Sequence, residues 1–403
     1  MQECSFLRLL DMALIHKRSR RQNWSELPED VIRLVLGRLS FSDFHRARAV
    51  CSAWYSVWGE CVPKPNQVPW LILFPDPKQC RRSCMLYNPE EEDKVYTIQD
   101  LGVDPCLASC GTWLLMSDTP LSLYLLNVLT LERINLVAIE SQRYQLFPEP
   151  PRFYDNCPGR YFASKAEMIG FPTSNKAVLW IDEKTKDYEV AWSSCEYKYT
   201  FSCKKRDHVW HRIPPWVGCS DMVLKDHKLY IYSADGFIRI SDLSGEFPTK
   251  AANVNPYPPF RFHLGALGPP FRFHKSSSYL PDFIDWKTNI IITISGDVLM
   301  VATVLKRDLT WHFRVYKFNS ANNDWEQTVS LGDQAVILDL GITVPASSDI
   351  QGITRNSIYF SGLPTSQKDV FVFNLSSQKI QRLSSSYISS IPFSDARWLF
   401  PTS

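Results

Sequence analysis

After a short N-terminal region the chain repeats one local phrase, and that repetition limits the possible folds more than any other feature. A strand of alternating aromatic or apolar residues ends at a turn-forming Asn or Asp, and a second short strand starts a few residues later. The phrase runs from Met85-Leu-Tyr-Asn88 to Val95-Tyr-Thr-Ile98 and from Leu123-Tyr-Leu-Leu-Asn127 to Arg133-Ile-Asn-Leu136. It returns in Phe237-Ile-Arg-Ile-Ser-Asp242-Leu243, in Phe313-Arg-Val-Tyr-Lys-Phe-Asn319 with Trp325-Glu-Gln-Thr-Val329, and in Val370-Phe-Val-Phe-Asn374 with Lys379-Ile-Gln-Arg-Leu383. Strands such as Lys228-Leu-Tyr-Ile-Tyr232, Asp297-Val-Leu-Met-Val-Ala302 and Ser357-Ile-Tyr-Phe360 lie between them. Diverged antiparallel repeats of roughly 45 to 50 residues suggest a closed, six- or seven-bladed β-propeller, because radial closure leaves only protected edges. A pair of β-sandwiches is the competing architecture.

The remaining sequence organises around this β region. Residues 1–22 form a basic extension, 23–66 a small helical module that ends in the proline-spaced connection Pro63 to Pro69, and 67–395 the β domain, giving an α+β multidomain chain. With 45% hydrophobic and 13% aromatic residues the chain is too apolar for intrinsic disorder, and it contains no uncharged apolar run long enough to span a bilayer. A formal net charge of +2 supplies no general field for nucleic acid or acidic lipid, so neither nucleic acid nor membrane is expected as a partner. Eleven scattered cysteines read as reduced, intracellular thiols. The apolar stretch Phe6 to Ile15 precedes the basic run His16-Lys-Arg-Ser-Arg-Arg21, the reverse of a secretory leader. That run has the composition of a nuclear-import signal, which makes the nucleus and/or cytoplasm the expected compartments.

Between Trp24 and Trp58 three short helices are predicted. Ser25 is a plausible cap ahead of Leu27-Pro28-Glu29-Asp30, where a proline suits the first turn and acids suit the positive end of the helix dipole. Val31, Leu34, Val35 and Leu39 then form one apolar stripe, and Ile32, Leu36 and Leu39 form a second beside it. A second helix is predicted after Ser42, with Phe44, Ala47, Val50 and Cys51 on one face, and a third from Ser52 carries Trp54, Val57 and Trp58. So small a module cannot cover two apolar faces by itself. Either the rest of the chain packs on the second face, or another polypeptide does.

Trp24-Ser-Glu-Leu27-Pro28-Glu-Asp30-Val31-Ile32, followed by Leu36, Leu39, Asp43, Phe44 and Val50-Cys51-Ser-Ala-Trp54, resembles an F-box in register over its whole length. The resemblance implies binding to the adaptor of an SCF (cullin-RING) ubiquitin ligase, and through it to the cullin. It makes Leu27, Pro28, Val31, Ile32, Leu36, Val50, Cys51 and Trp54 the candidate adaptor-facing anchors, some of which must instead be internal core. The order of F-box, short connection and β region is similar to a plant family of F-box proteins with a kelch-like C-terminal propeller of uncharacterised function. Lys228-Leu-Tyr230, Ser295-Gly-Asp-Val-Leu-Met-Val301, Trp325 with Ser330-Leu-Gly-Asp333, Asn356-Ser-Ile-Tyr-Phe360 and Val370-Phe-Val-Phe-Asn-Leu375 carry that likeness. The implied function is that of a substrate-recognition subunit holding a target protein on its β domain.

Pro258-Pro-Phe-Arg-Phe-His263 recurs letter for letter as Pro269-Pro-Phe-Arg-Phe-His274. Prolines stiffen such a stretch while Arg and Phe offer stacking and hydrogen bonds, so Phe260, Arg261, Phe271 and Arg272 are candidate substrate-binding residues. A duplicated inter-blade connection is the alternative. No phosphate-binding glycine loop, zinc-protease His-Glu pair, Gly-x-Ser-x-Gly elbow or Cys-x-x-Cys pair occurs, so no catalytic residue, cofactor or metal is expected. Cys80, Cys84, Cys106 and Cys110 have a spacing that zinc could use but read as small core residues, His208 and His211 as blade-edge residues, and Asp182-Glu183 as a solvated turn. The alternative function is a propeller enzyme or carbohydrate-binding protein whose helices pack in cis; its carboxylates would have to converge across blades.

Overall fold

The structure, a computed structural model, describes residues 24–39, 41–61, 69–75, 83–88, 95–99, 101, 104–119, 122–138, 176–194, 199–213, 219–233, 237–254, 283–306, 310–346, 353–361, 370–382 and 393–400. The chain divides into two compact units, Met1–Pro65 and Asn66–Thr402.

In the first unit a 3-10 turn, Trp24–Glu26, leads into α1 (Glu29–Leu36), α2 (Phe41–Ala47) and α3 (Ser52–Glu60). Helix α1 starts where it does because the Pro28 carbonyl accepts from Val31 N and Ile32 N, both at 3.1 Å, while Pro28 itself has no N–H to satisfy. Ser25, expected as the cap, lies inside the 3-10 turn, and Pro28 takes the cap position with no side-chain capping bond. Ile32, Leu36, Leu39, Phe44, Ala47, Trp54 and Val57 close a core between the helices. Trp54 fastens the N-terminal turn to it, donating from Nε1 to the Trp24 carbonyl at 3.1 Å.

The second unit is a propeller whose described strands form four four-stranded sheets and one nine-stranded sheet; the parallel pairing of Ile292 with Ile342 joins two blades in the latter, blades 5 and 6. Blade 1 contains β1 (Trp70–Pro75), β2 (Cys84–Tyr87) and β3 (Val95–Ile98). Blade 2 is β4 (Cys106–Cys110), β5 (Trp113–Thr119), β6 (Ser122–Asn127) and β7 (Arg133–Asn135). Blade 3 is β8 (Lys176–Ile181), β9 (Tyr188–Ser194), β10 (Tyr199–Lys204) and β11 (His211–Ile213). Blade 4 is β12 (Cys219–Lys225), β13 (Lys228–Ser233), β14 (Ile238–Asp242) and β15 (Thr249–Val254). Blade 5 is β16 (Phe283–Ile292), β17 (Val298–Lys306), β18 (Trp311–Asn319) and β19 (Asp324–Thr328). Blade 6 is β20 (Gln334–Ile337), β21 (Ile342–Pro345), β22 (Ser357–Ser361), β23 (Val370–Asn374) and β24 (Lys379–Arg382). Finally β25 (Phe393–Leu399) returns to pair antiparallel with β1, from Trp70 opposite Leu399 to Phe74 opposite Asp395, and completes the first sheet. The β domain read from sequence as ending at residue 395 therefore continues to Leu399, because its last strand supplies the closure.

The recurring Asn and Asp have a common physical cause. Asn127 Oδ1 accepts from Leu129 N and Thr130 N at 2.9 Å, and Asn374 Oδ1 accepts from Ser376 N at 3.1 Å and Ser377 N at 2.9 Å. Asp182 and Asn319 cap the following turn in the same way. Four residues on, Leu131, Lys186, Asn323 and Gln378 all have positive φ, so one turn geometry is used four times with different residues in the left-handed position.

The core is a set of inter-blade layers. Alternate residues of one inner strand serve different layers: Ile290 and Ile292 join Met300, Tyr316 and blade 4, whereas Ile291 joins Val315 and blade 6. Ala335 and Ile337 likewise face blade 1, and Val336 faces blade 5. Burial on both faces is why these strands read as continuous apolar runs. Gly341, at φ 67°, sits where blades 4, 5 and 6 meet, and a Cβ there would lie 2.4 Å from Val223 Cγ2.

Buried and half-buried polar groups tie blades together. Glu183 accepts from Thr112 Oγ1 at 2.6 Å and Trp113 Nε1 at 3.0 Å, joining blades 2 and 3. It is therefore an inter-blade anchor rather than the solvated turn residue its Asp182-Glu183 context suggests. Asp221 accepts from Asn289 Nδ2 at 3.1 Å and Ile290 N at 2.9 Å, joining blades 4 and 5, and pairs with Lys176 of blade 3 at 3.2 Å.

Candidate functional site

Helix α1 shows how the two apolar stripes divide. Ile32 and Leu36 are one turn apart and point into the helical core, at 0% and 1% exposure. Val31 and Leu34, three residues apart on an adjoining face, are 40% and 57% exposed, and the exposed Pro28 lies one turn before Val31. Leu39 belongs to the core alone. The excess apolar circumference of α1 is thus one face packed and one face open.

Two further segments present apolar groups. Val50, in the turn after α2, is 47% exposed, and Tyr55 on α3 is 61% exposed with its ring stacked on Trp58 at 6.2 Å. These residues are held by ordered helices: Arg33 on α1 is ion-paired with both Glu60 on α3 and Glu29, and Arg48 lies over the Trp58 ring at 5.4 Å.

The candidate anchors therefore fall into three sets. Pro28, Val31 and Val50 are exposed. Leu27 and Cys51 are half-buried, packed at the margin of the core. Ile32, Leu36 and Trp54 are internal, and their assignment as surface anchors is corrected: each is sealed by the module's own helices and holds the others in place. Leu34 and Tyr55 are more exposed than Val31 and Val50. Leu34 was detectable from its place in the Val31 stripe; Tyr55 carries no periodic signal.

Phe260, Arg261, Phe271 and Arg272 lie outside the described residues, as does Cys80. Cys84 and Cys106 are buried and bonded to backbone carbonyls, Cys106 Sγ lying 3.5 Å from Ala108 O. His211 Nε2 is 3.7 Å from Asp207 Oδ2, a side-chain contact within blade 3. Among the described residues no group of three or more His, Cys, Asp or Glu is arranged to hold a metal, and no helix is long and apolar enough to cross a membrane.

Comparison with known proteins gives two family matches, the F-box domain over residues 24–65 and the KIB1-4 beta-propeller over residues 86–374. The F-box protein At5g14160 of Arabidopsis thaliana is 62% identical over 397 residues, covering 97% of this chain and 96% of that one. The F-box protein At2g05970, also of Arabidopsis thaliana, is 39% identical over 402 residues, covering 95% and 97%.

Proposed function

Because the chain belongs to the plant F-box proteins that carry a KIB1-4 β-propeller, we propose that it is the substrate-recognition subunit of an SCF (cullin-RING) ubiquitin ligase. The helical module docks on the SCF adaptor, and the propeller holds a target protein within reach of the ubiquitin-loaded enzyme that the cullin brings. The chain acts by tethering: raising the effective concentration of a target lysine beside a thioester requires binding energy and geometry, not a catalytic side chain of its own.

The observation that carries this reading is the exposure of Val31 and Leu34 on a helix whose adjoining face is already packed. Burying such side chains is worth roughly 1.5 to 3 kcal/mol each when complete, so a partner that covers them gains affinity without unfolding anything. The face is carried on a helix already packed through Ile32 and Leu36, which lowers the ordering cost of association.

The test is reconstitution. Purified full-length chain is expected to capture the adaptor with its cullin and to support ubiquitin transfer to a protein retained by the β domain. A folded chain that fails to bind the adaptor, or that instead turns over glycoside substrates, overturns the assignment.

A further inference from the structure

Two neighbouring connections in the propeller carry apolar side chains that their own blades leave in water. Residues 205–210 join β10 to β11 in blade 3, and residues 243–248 join β14 to β15 in blade 4. Each runs from the third strand of its blade to the fourth, so both emerge at the same edge of the ring. Val209 in the first is 40% exposed, and Phe247 in the second is 58% exposed. The rings of His211 and Phe247 meet edge to face across the seam, with centroids 5.3 Å apart.

Both connections are pinned. Lys204 Nζ crosses from blade 3 to donate to the Leu243 carbonyl and, at 2.7 Å, to the Gly245 carbonyl. Asp207 Oδ2 accepts from Lys204 N at 2.8 Å, and the buried Trp210 donates from Nε1 to the Val137 carbonyl at 2.9 Å. In the second connection Asp242 Oδ1 accepts from Ser244 N at 2.8 Å and Ser244 Oγ at 2.6 Å, and Leu243 is wholly buried. Val209 and Phe247 are thus presented on fixed backbone, and a surface that covers them meets a low ordering cost.

The charges define what that surface must offer. Lys205 is paired with Asp187 at 3.4 Å, and Asp207 lies 3.7 Å from His211 Nε2. Arg206 and Glu246 are exposed, and neither makes a hydrogen bond or ion pair with a described residue. One unused cation on one connection and one unused anion on the other, beside Val209 and Phe247, make the patch complementary to itself. A surface of a single sign would satisfy one charge and repel the other. A second copy related by a two-fold axis satisfies both, because an isologous interface repeats every contact.

We propose that this seam of blades 3 and 4 is a homodimer interface, in which Arg206 pairs with the partner subunit's Glu246 and Glu246 with the partner subunit's Arg206, while Val209 and Phe247 are covered. Two connections per copy form a small patch, so the dimer is reversible and dissociates on dilution. It presents two propellers at once, which raises the effective concentration for a ligand that engages both. The inference goes beyond the ubiquitin-ligase reading and does not depend on it.

The test is sedimentation velocity of the full-length protein across a dilution series, with thermal melts of every variant. Wild type is expected to pass from dimer to monomer on dilution. Arg206→Glu and Glu246→Arg each create two like-charge contacts and are expected to weaken self-association at least tenfold without moving the melt. Mixing these two variants in equal amounts restores both opposite-charge contacts, so a heterodimer is expected, and the double variant is expected to dimerise as wild type does. Phe247→Ser is expected to weaken the dimer in the same direction. A monomer at every concentration, a mixture that stays monomeric, or self-association that these substitutions leave unchanged, as association through the helical face would be, would each overturn the proposal.

Discussion

Replacing Val31, Leu34 and Val50 together by Ala should separate binding from folding. Their exposures of 40%, 57% and 47% measure what a partner can still remove from water. Scaling a full burial value of roughly 1.5 to 3 kcal/mol by those fractions gives about 2 to 4 kcal/mol for complete coverage of the three. Alanine keeps part of each contact, so the lower end, about 2 kcal/mol or roughly a 30-fold weaker Kd, is the expected loss. The fold should barely notice, since exposed positions change stability by about 0.5 kcal/mol or less each. The assay is calorimetric titration of the adaptor into the full-length triple variant and the wild type, with thermal melts of both. A variant that melts normally yet binds the adaptor within about twofold of wild type would refute the reasoning, because these residues would then be exposed without being anchors.

Ile32→Ala, by contrast, should destabilise the helical unit by about 2 to 5 kcal/mol, since Ile32 is wholly buried against Leu36, Phe44 and Trp54; helical circular dichroism should be lost at lower temperature while the β signal persists. Glu183→Ala should cost the propeller about 1 to 3 kcal/mol, read by urea unfolding, because Thr112 and Trp113 lose a shared acceptor. Burial pushes the Cys203 thiol up to about 12 and the half-buried Cys110 thiol up to about 11, so Cys203, which is also closed to solvent, should resist iodoacetamide at pH 8 in the native protein and react in denaturant. These shifts also fix a sign: above about pH 8.5 the unfolded chain releases protons that the folded chain keeps, so these thiols should lower the propeller Tm as pH rises toward the native values and contribute no slope below. A Tm that rises over that window would contradict the burial of these thiols.

Much of the propeller was legible because its turns use side-chain chemistry. Asn127, Asn319 and Asn374 each close a turn by capping backbone N–H groups, and that local event leaves the same letter in the same place. Blade 3 uses the same device at a different strand, at Asp182 after Lys176–Ile181, while its third strand, Tyr199–Lys204, ends on a lysine whose backbone N–H donates to Asp207 Oδ2 at 2.8 Å. The closure of β25 on β1 was invisible for a different reason: Trp398 opposite Leu71 is a pairing across nearly the whole chain, and nothing local encodes it. Glu183 was misread because an acid beside Asp182 looks solvated until the neighbouring blade brings Trp113 Nε1 to it. In the helical module both stripes of α1 were visible, but which one turns inward depends on where α2 and α3 place Phe44 and Trp54.

Hydroxyl-radical footprinting of the full-length protein, alone and with purified adaptor, tests most directly whether the helical face waits for a partner. Leu34, Val50 and Tyr55 should oxidise readily in the free chain and be protected when the adaptor is added, with Ile32 and Trp54 low in both. Equal oxidation of Leu34, Val50 and Tyr55 with and without saturating adaptor would contradict the account.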